Sequence, residues 1–123
     1  IWYSPDQDYG LKQGVMAPFF GVPAATITAS RRMAKLGSKA KPPAVMALHT
    51  YRQTPDNLPR GKRPHYHLTI TPELDNYPSK DEVADATRVN EVLEGLIRID
   101  PTQWMWFHRR FKHGPNGRTD IYK

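Results

Sequence analysis

The sequence predicts an α/β or α+β fold with the order strand, helix, strand, strand, helix, helix, and we take the fold class to be α/β. Short apolar runs rich in β-branched residues alternate with longer runs of helix formers. Residues 79–97 combine a capping box with an apolar stripe at helical spacing. The length of 123 residues, without internal repeats, fits one domain or a piece of one.

The chain opens with an apolar segment and a polar turn. Residues 1–3 are interpreted as a buried strand already under way, so we expect the native chain to continue upstream. Residues 4–10 form the turn, which places Asp6 and Asp8 just past the end of that strand. Loops that follow strands often carry the chemistry of α/β folds. Aspartates are also ordinary turn formers, so the pair alone supports either a functional or a structural interpretation.

An apolar loop and a helix are predicted next. Pro18 and Pro23 bracket the loop, which contains the bulky residues Phe19 and Phe20. Residues 24–36 are rich in helix formers and stop at a glycine, as helices commonly do. The C-terminal part of this predicted helix carries three cations: Arg31, Arg32 and Lys35.

A hairpin and a second helix are predicted in the middle of the chain. Residues 45–51 and 66–70 have the pattern of strands, and the long basic loop at residues 52–63 joins them. The capping box at residues 79–82 begins the helix, and its apolar stripe runs to the stop at Asp100-Pro101.

The segment QWMWFHRRFK at residues 103–112 concentrates aromatic and cationic side chains. As a helix it would place its bulky apolar residues on one face and its cations near the C-terminal end, where they suit the helix dipole. Two interpretations remain open, an amphipathic core helix with a solvated basic edge and an element that binds an anion. The cations are Arg109, Arg110 and Lys112.

The net charge of +6 is unevenly distributed. Residues 31–63 hold nine lysines and arginines against one acid, whereas residues 64–103 hold eight acids against three bases. The basic third is therefore the candidate for an anionic partner, which charge alone leaves open between phosphorylated lipid, nucleic acid and an acidic carrier protein. A merely solvated basic loop fits the same composition.

Composition excludes several kinds of site. The absence of cysteine excludes disulfides, thiolate metal sites and a cysteine nucleophile. Among the five histidines, His65 and His67 share one face of a predicted strand, but no third ligand lies at a suitable spacing, so we predict neither a metal nor a cofactor. The longest apolar runs, residues 15–20 and 44–48, are too short to span a membrane, and the fragment is soluble by composition.

Three segments, YSPDQDYG at residues 3–10, PFFG with AAT at residues 18–26 and QWMWFHRRFK at residues 103–112, occur in this order. With them the chain resembles the late acyltransferases of bacterial lipid A biosynthesis, the lauroyl and myristoyl acyltransferases, from residue 1 to about residue 118. The resemblance implies a glycerolipid-acyltransferase-like α/β domain, a mixed sheet flanked by helices, of which residues 1–123 are the C-terminal part.

The resemblance also implies an activity and a location. The family transfers a fatty acyl chain from acyl carrier protein to a hydroxyl of a phosphorylated lipid A precursor, at the cytoplasmic face of the bacterial inner membrane. Its members have an N-terminal membrane anchor and a catalytic histidine with an acid five positions later. No histidine of this chain has that acid, so the anchor and the base are expected upstream. Because we identify no histidine oriented by a carboxylate, we expect the chain alone to be inactive.

Site residues follow from the same resemblance. Asp6, and Asp8 in the same motif, are expected to support catalysis by orienting the base or a substrate group. Phe19 and Phe20 are expected either to line a groove for the acyl chain or to seal the core. The cations expected to meet lipid phosphates or the acidic carrier protein are Arg31, Arg32, Lys35, Arg109, Arg110 and Lys112.

Two other classes of function stay open at this point. One is a nucleic-acid-binding module that uses exposed aromatics as stacking platforms, and the other is a structural domain that docks on the rest of a longer chain. The exposure of Trp104, Trp106 and Phe107 separates the first of these from the acyltransferase, for which we expect that block to be mostly buried and no nucleic acid to bind.

Overall fold

The computed structural model describes residues 1–38, 40–41, 43–53, 59–114 and 122. It contains two β-hairpins, two α-helices and one 3-10 turn. In chain order the elements are β1 (Gly14–Phe19), β2 (Val22–Ile27), α1 (Ala29–Ala34), β3 (Leu48–Gln53), β4 (His65–Ile70), α2 (Glu82–Ile97) and the 3-10 turn Pro101–Gln103. Neither α1 nor α2 is long and apolar enough to cross a bilayer, and this holds for the described residues only.

The α/β class is confirmed, but the sheets are small. β1 pairs with β2 and β3 pairs with β4, each pair antiparallel, as two separate two-stranded sheets. The expected mixed sheet is not found within the ranges that the structure describes. Two-stranded hairpins are only marginally stable alone, so each depends on what packs against it.

The first hairpin occupies residues predicted as a loop and as the start of a helix. Phe19 lies opposite Val22, so Phe20 and Gly21 form a two-residue turn. Both turn residues have positive φ, 50° and 76°, as a type I′ hairpin turn requires. Phe20 donates its backbone N–H to Glu94 Oε1 at 2.7 Å. The loop and helix predictions were wrong here because Glu94 of α2, 74 residues away in sequence, fixes this turn.

Helix α1 is shorter than the predicted 24–36, because residues 22–27 belong to β2. The two strands of the first hairpin approach closely at Gly14, where a Cβ would lie 2.2 Å from the carbonyl oxygen of Thr26. A side chain at position 14 would therefore push the strands apart. The chain turns into α1 directly after the hairpin, at Thr28.

The hydrophobic core lies between the first hairpin and α2. Phe19, Ala24 and Ile97 are buried at its centre, and Phe19 is 1% exposed. The ring of Phe19 packs edge-on against Phe20 and lies 5.9 Å from the ring of Phe111. Other half-buried side chains at this core are Leu93 and Trp104.

Helix α2 is confirmed, but it begins two residues later than the capping box at residues 79–82 predicts. Asp81 is its N-cap and accepts hydrogen bonds from the backbone N–H groups of Val83 and Ala84 at 2.9 and 3.0 Å. Such caps satisfy N–H groups that have no partner inside the helix. The helix buries Ala86 and Asn90, and it leaves a neighbouring apolar stripe half-buried.

A buried ion pair connects α1 to the start of α2. Arg31 pairs with Asp85, and Asp85 also accepts the backbone N–H of Ser79 at 2.9 Å. Burial alone would raise the pKa of Asp85, but the hydrogen bonds from Ser79 and the charge of Arg31 outweigh it and hold the pKa below its ordinary value.

The second hairpin is confirmed, with Leu48 opposite Ile70. Gln103 holds its edge, because the side chain accepts the backbone N–H of Arg52 and donates to the carbonyl of Arg52, both at 2.7 Å. The predicted loop at residues 52–63 lies partly outside the described residues, at positions 54–58, and the predicted turn and tail beyond Gly114 lie outside them too.

Two predicted elements are absent from the described ends of the chain. Residues 1–3 form no strand, and Ile1 and Trp2 are exposed. Residues 104–112 form successive turns instead of a helix, with Trp106 N–H bonded to the carbonyl of Trp104 and Arg110 N–H to that of His108. The helix prediction fails because side chains in this block bind backbone carbonyls elsewhere, which pins it in an irregular path.

Replacing Phe19 by alanine removes the largest side chain at the centre of the core. We expect the Phe19→Ala variant of the chain to lose about 3–5 kcal/mol of unfolding free energy, measured by urea denaturation, because such substitutions leave a cavity. The matched control is Phe107→Ala, whose side chain is 76% exposed and should cost under about 1 kcal/mol. Equal losses in the two variants would contradict the assignment of the core.

The lowered pKa of Asp85 predicts an acid-dependent loss of stability. Since the carboxylate form is favoured in the folded state, its contribution is present above the unfolded pKa of about 4 and disappears as pH falls through the lower folded pKa. We expect Asp85→Asn to be less stable at pH 7 and to depend less on pH below about 4. Denaturation curves from pH 2 to 7 test this, and parallel pH profiles for variant and parent would refute it.

Candidate functional site

Asp8 joins the start of the chain to its end. Its carboxylate is 1% exposed and accepts three hydrogen bonds. Oδ1 accepts the backbone N–H of Gly10 at 2.8 Å, and the backbone N–H of His113 reaches Oδ2 at 2.7 Å. Oδ1 also lies 2.8 Å from Nδ1 of the His113 ring. One buried carboxylate thus joins the segment at residues 3–10 to His113, which directly follows the segment at residues 103–112.

The His113 and Asp8 pair corrects one expectation. We expected no histidine oriented by a carboxylate, but the fold brings together two residues 105 positions apart in sequence. The pairing through Nδ1 leaves Nε2 without a contact to Asp8, and the ring packs over Gly10. Sequence spacing carried no signal for this pair.

We call the hydrogen bonds of Asp8 to Gly10 and His113 the Asp8 clasp. Asp6 lies close to it in sequence, and its carboxylate has fewer partners. Oδ1 accepts the Ser4 hydroxyl at 2.8 Å, and Oδ2 lies 4.0 Å from Nε2 of His108. The side chain is 13% exposed. Asp6 therefore keeps one oxygen turned toward a half-buried imidazole, whereas both oxygens of Asp8 are occupied.

Arg110 fills the centre of the site. Nη1 donates to the carbonyl of Ala25 at 2.8 Å, and Nη2 donates to Thr26 Oγ1 and Asn90 Oδ1 at 2.9 and 3.2 Å. The guanidinium carbon lies 4.8 Å from the centre of the Phe19 ring. Burial lowers the pKa of Arg110, and the negative charges of Asp8 and Asp6 oppose that effect.

Tyr3 adds a second buried polar group. Its hydroxyl has no hydrogen-bond partner among the described residues, nor has Arg110 Nε. Burial, followed by the neighbouring Tyr9 and Tyr77, raises the pKa of Tyr3 well above its ordinary value. The hydroxyl is therefore neutral at physiological pH and remains a hydrogen-bond donor.

The predicted substrate-binding cations divide into two groups. Arg31 and Arg110 are 8% and 3% exposed, and both are engaged by protein groups, so the expectation that they bind substrate is not supported and we assign them structural positions. Such arginines occur where a guanidinium must satisfy several acceptors at once. The exposed cations of the predicted set are Arg32, Lys35, Arg109 and Lys112.

The two phenylalanines also separate. Phe19 belongs to the hydrophobic core, so of its two expected roles, lining an acyl groove or sealing the core, the structure favours the second. Phe20 is half-buried in the hairpin turn, with the Arg98 guanidinium 4.8 Å above its ring. Neither phenylalanine lines the apolar cavity that Tyr3 and Pro5 contact.

The aromatic block at residues 104–107 is more exposed than expected. Trp104 is half-buried, but Trp106 and Phe107 are 58% and 76% exposed. The prediction that most of this block is buried was therefore wrong. By exposure alone, Trp106 and Phe107 could serve as the stacking platforms of a nucleic-acid-binding module.

The histidines of the second hairpin form a ladder of rings. His65 and His67 both contact Gln53 Oε1, and Tyr51 stacks between His67 and His49. Within the described residues no group of three or more histidines and acids is placed to hold a metal ion.

Comparison with known proteins gives the family. Residues 1–113 match the family model described as bacterial lipid A biosynthesis acyltransferase. The chain belongs to this family. The palmitoleoyltransferase and the lauroyltransferase of lipid A biosynthesis from Escherichia coli strain K12 are 35% and 36% identical to it, each over 123 residues and 99% of the chain. A lipid A biosynthesis acyltransferase from Haemophilus influenzae is 37% identical over 120 residues, 97% of the chain.

The chain spans about a third of the length of these curated relatives, with 36%, 37% and 35% of each covered. Membership in the lipid A acyltransferase family outweighs the exposure of Trp106 and Phe107 as a criterion of function. Those side chains are exposed in a structure that holds about a third of what the relatives contain, so their exposure does not identify a nucleic-acid surface.

Sequence reasoning missed Asn90, Thr26 and His113 as parts of the site. Asn90 is 0% exposed, although it interrupts the apolar face of α2. A buried polar residue in an apolar stripe needs a partner, and that was the available signal. Thr26 was assigned to a predicted helix, so the sequence did not indicate that its hydroxyl accepts a hydrogen bond from Arg110.

Replacing Arg110 leaves several buried acceptors without a donor. We expect Arg110→Met to lose about 3 kcal/mol or more of unfolding free energy, and Arg110→Lys to recover only part of it, because an ammonium cannot reproduce the planar fork. The matched control is Arg109→Met, which alters an exposed neighbour and should stay within about 0.5 kcal/mol. Thermal and urea unfolding measure the difference in unfolding free energy, and an Arg110→Met variant as stable as the parent would refute the structural assignment.

Proposed function

We propose that the gene product containing this chain transfers a fatty acyl group from acyl carrier protein to a hydroxyl of a phosphorylated lipid A precursor. The family match over residues 1–113 is the observation that carries the proposal. The relatives are named for lauroyl and palmitoleoyl transfer in lipid A biosynthesis. The reaction moves the acyl group from a thioester to an oxygen, and the carrier thiol leaves with the hydroxyl proton.

The proposed role of Asp6 is to orient the proton-accepting group. A hydroxyl that attacks a thioester must lose its proton, and a histidine held by a carboxylate is the usual acceptor. Asp6 supports such a role because its side chain is mostly shielded from water and its Oδ2, 4.0 Å from His108 Nε2, makes no hydrogen bond among the described contacts, which leaves that oxygen available to a histidine from outside these residues. Asp8 acts indirectly, because its hydrogen bonds hold the loop that carries Asp6.

The general base itself is proposed to lie outside these 123 residues, in a histidine with an acid five positions later. His113 is the other candidate, because Asp8 contacts its Nδ1. Its ring is held within a clasp that also uses the His113 backbone N–H, which favours a structural role. The two candidates differ in their response to substitution, as described below.

The exposed cations supply the proposed contact with anionic groups. Arg109 and Lys112 follow the aromatic block, and Arg32 lies on α1. Lipid phosphates and the acidic surface of a carrier protein would both pair with them through charge-assisted hydrogen bonds. A glycerolipid-acyltransferase-like domain at the cytoplasmic face of the bacterial inner membrane, anchored through an N-terminal part, is the setting in which we propose this activity.

Substitution of Asp6 tests the proposed role directly. We expect Asp6→Asn in the full gene product to lower the rate of acyl transfer by roughly 100-fold, because the oriented carboxylate charge is lost. The assay follows transfer from acyl carrier protein thioesters to a lipid A precursor. Asp75→Asn, at an exposed position, is the matched control and should keep the parental rate.

Substitution of His113 separates the two candidate bases. If the base lies elsewhere, His113→Gln should retain transfer within roughly tenfold, whereas loss of a true base costs on the order of 100-fold to 10,000-fold. The proposed function as a whole fails if the unmodified gene product transfers no acyl group and lipid A from a strain lacking the gene keeps its acyl count.

A further inference from the structure

One face of the second hairpin brings together three side chains that carry nitrogen and oxygen ligand atoms. Gln53 of β3 lies directly opposite His65 of β4, and His67 lies two residues further along β4. Opposite residues, and residues two apart in a strand, share a face, so all three side chains project from one side of the hairpin. His65 Nε2 lies 3.1 Å from Gln53 Oε1, and His67 Nε2 contacts the same oxygen. The two imidazole nitrogens therefore converge on one point.

The opposite strand supplies a third ligand atom that sequence spacing does not indicate. Gln53 precedes His65 by 12 residues, and only the pairing of β3 with β4 brings the two together. The third atom is an amide oxygen, so this group differs from a cluster of histidines and acids, which the described part of the chain does not place around a metal. Gln53 thus completes a set of two nitrogens and one oxygen.

Neighbouring rings hold the imidazoles in position. His67 stacks on Tyr51, with ring centroids 5.1 Å apart and planes 15° apart, and Tyr51 stacks on His49 with centroids 5.5 Å apart. The ring of His65 lies 5.3 Å from that of His67. Side chains that are already oriented lose less conformational freedom when they bind, so the stacking favours capture of a ligand.

The surrounding charges allow a cation to approach this group. Arg52 is the arginine of β3, and because it lies opposite Tyr66 it belongs to the other face of the hairpin. Lys62 and Arg63 precede β4 and are exposed, so water and salt screen their charges. The three side chains of the group are exposed as well, and an ion in solution reaches them directly.

We propose that His65, His67 and Gln53 bind a divalent transition metal ion such as Zn²⁺, with water completing its coordination. Imidazole nitrogen is a ligand that zinc, copper and nickel favour, whereas magnesium and calcium favour oxygen. The ion takes the Nε2 lone pairs, so each ring carries its proton on Nδ1. A bound ion links β3 to β4, and a two-stranded hairpin is only marginally stable alone, so binding stabilises the hairpin.

Calorimetric titration of the 123-residue chain without a histidine tag tests the site. The chain should bind Zn²⁺ from ZnCl₂ and show no binding of Mg²⁺ at the same positions. His65→Ala and His67→Ala should each weaken zinc binding at least about tenfold, and Gln53→Leu should weaken it severalfold. His49→Ala is the matched control, because it removes a histidine from the same face of the hairpin, four residues from Gln53 along β3, and should bind zinc as the parent does.

Nuclear magnetic resonance locates the ion. Zn²⁺ should shift the imidazole signals of His65 and His67, leave that of His108 in place and slow the exchange of the β4 amides. Protons compete with the metal for imidazole nitrogen, so zinc binding should weaken from about pH 7.5 to about pH 5.5. Circular dichroism checks that the variants fold, and His65→Asn and His67→Asn replace any alanine variant that does not.

The outcomes decide the assignment. Unchanged zinc affinity in both histidine variants overturns the site, and so does an equal loss in His49→Ala. Unchanged affinity in Gln53→Leu removes the third ligand and overturns the site as proposed. The inference is independent of acyl transfer, because the titration uses neither acyl donor nor acceptor, and failure of the proposed function leaves its result standing.

Discussion

The buried guanidinium of Arg110 is the interaction on which the candidate site depends. It donates to a carbonyl of β2, to the Thr26 hydroxyl and to the Asn90 side-chain oxygen, so one side chain ties the C-terminal block to the first hairpin and to α2. Each of those acceptors is buried, and a buried acceptor without a donor is costly. The turns of residues 104–112 bring Arg110 to all three partners.

The consequence reaches the functional residues through the chain. His113 lies three residues after Arg110 and donates its backbone N–H to Asp8, which in turn accepts the N–H of Gly10. The loop that carries Asp6 is therefore positioned by the same block that Arg110 anchors. The loop of Asp6 and Asp8 is therefore bonded to the residues after Arg110, and the described hydrogen bonds of Asp8 include none to the hairpin β3–β4.

The sequence predicted those elements whose signals are local. Helix α2 was predicted because its cap and apolar spacing lie within residues 79–97, and the second hairpin was predicted because its strands alternate. The first hairpin was missed because the alanines of β2 favour a helix locally, while the Phe20 turn is fixed by Glu94. Tertiary contacts decided that region, and local propensity could not show them.

The site was predicted in part, for the same reason. The motif resemblance pointed to the loop of Asp6 and Asp8 and to the block around Arg110, and the structure brings these segments together. It did not show that Arg31 and Arg110 are buried, because a cation in a basic run looks the same in sequence whether it faces solvent or a buried acceptor. The pairing of Asp8 with His113 leaves no local pattern in the sequence, because the two residues are 105 positions apart.

Amide hydrogen exchange in the Arg110→Met variant tests the central claim most directly. If Arg110 anchors the block that holds the Asp8 clasp, the amides of Gly10 and His113 should lose protection together, while the Thr71 amide, bonded to the Ala47 carbonyl beside β3, should keep its own. Unchanged protection at Gly10 and His113 in a folded variant would contradict the account, because the clasp would then stand without the interaction proposed to hold it.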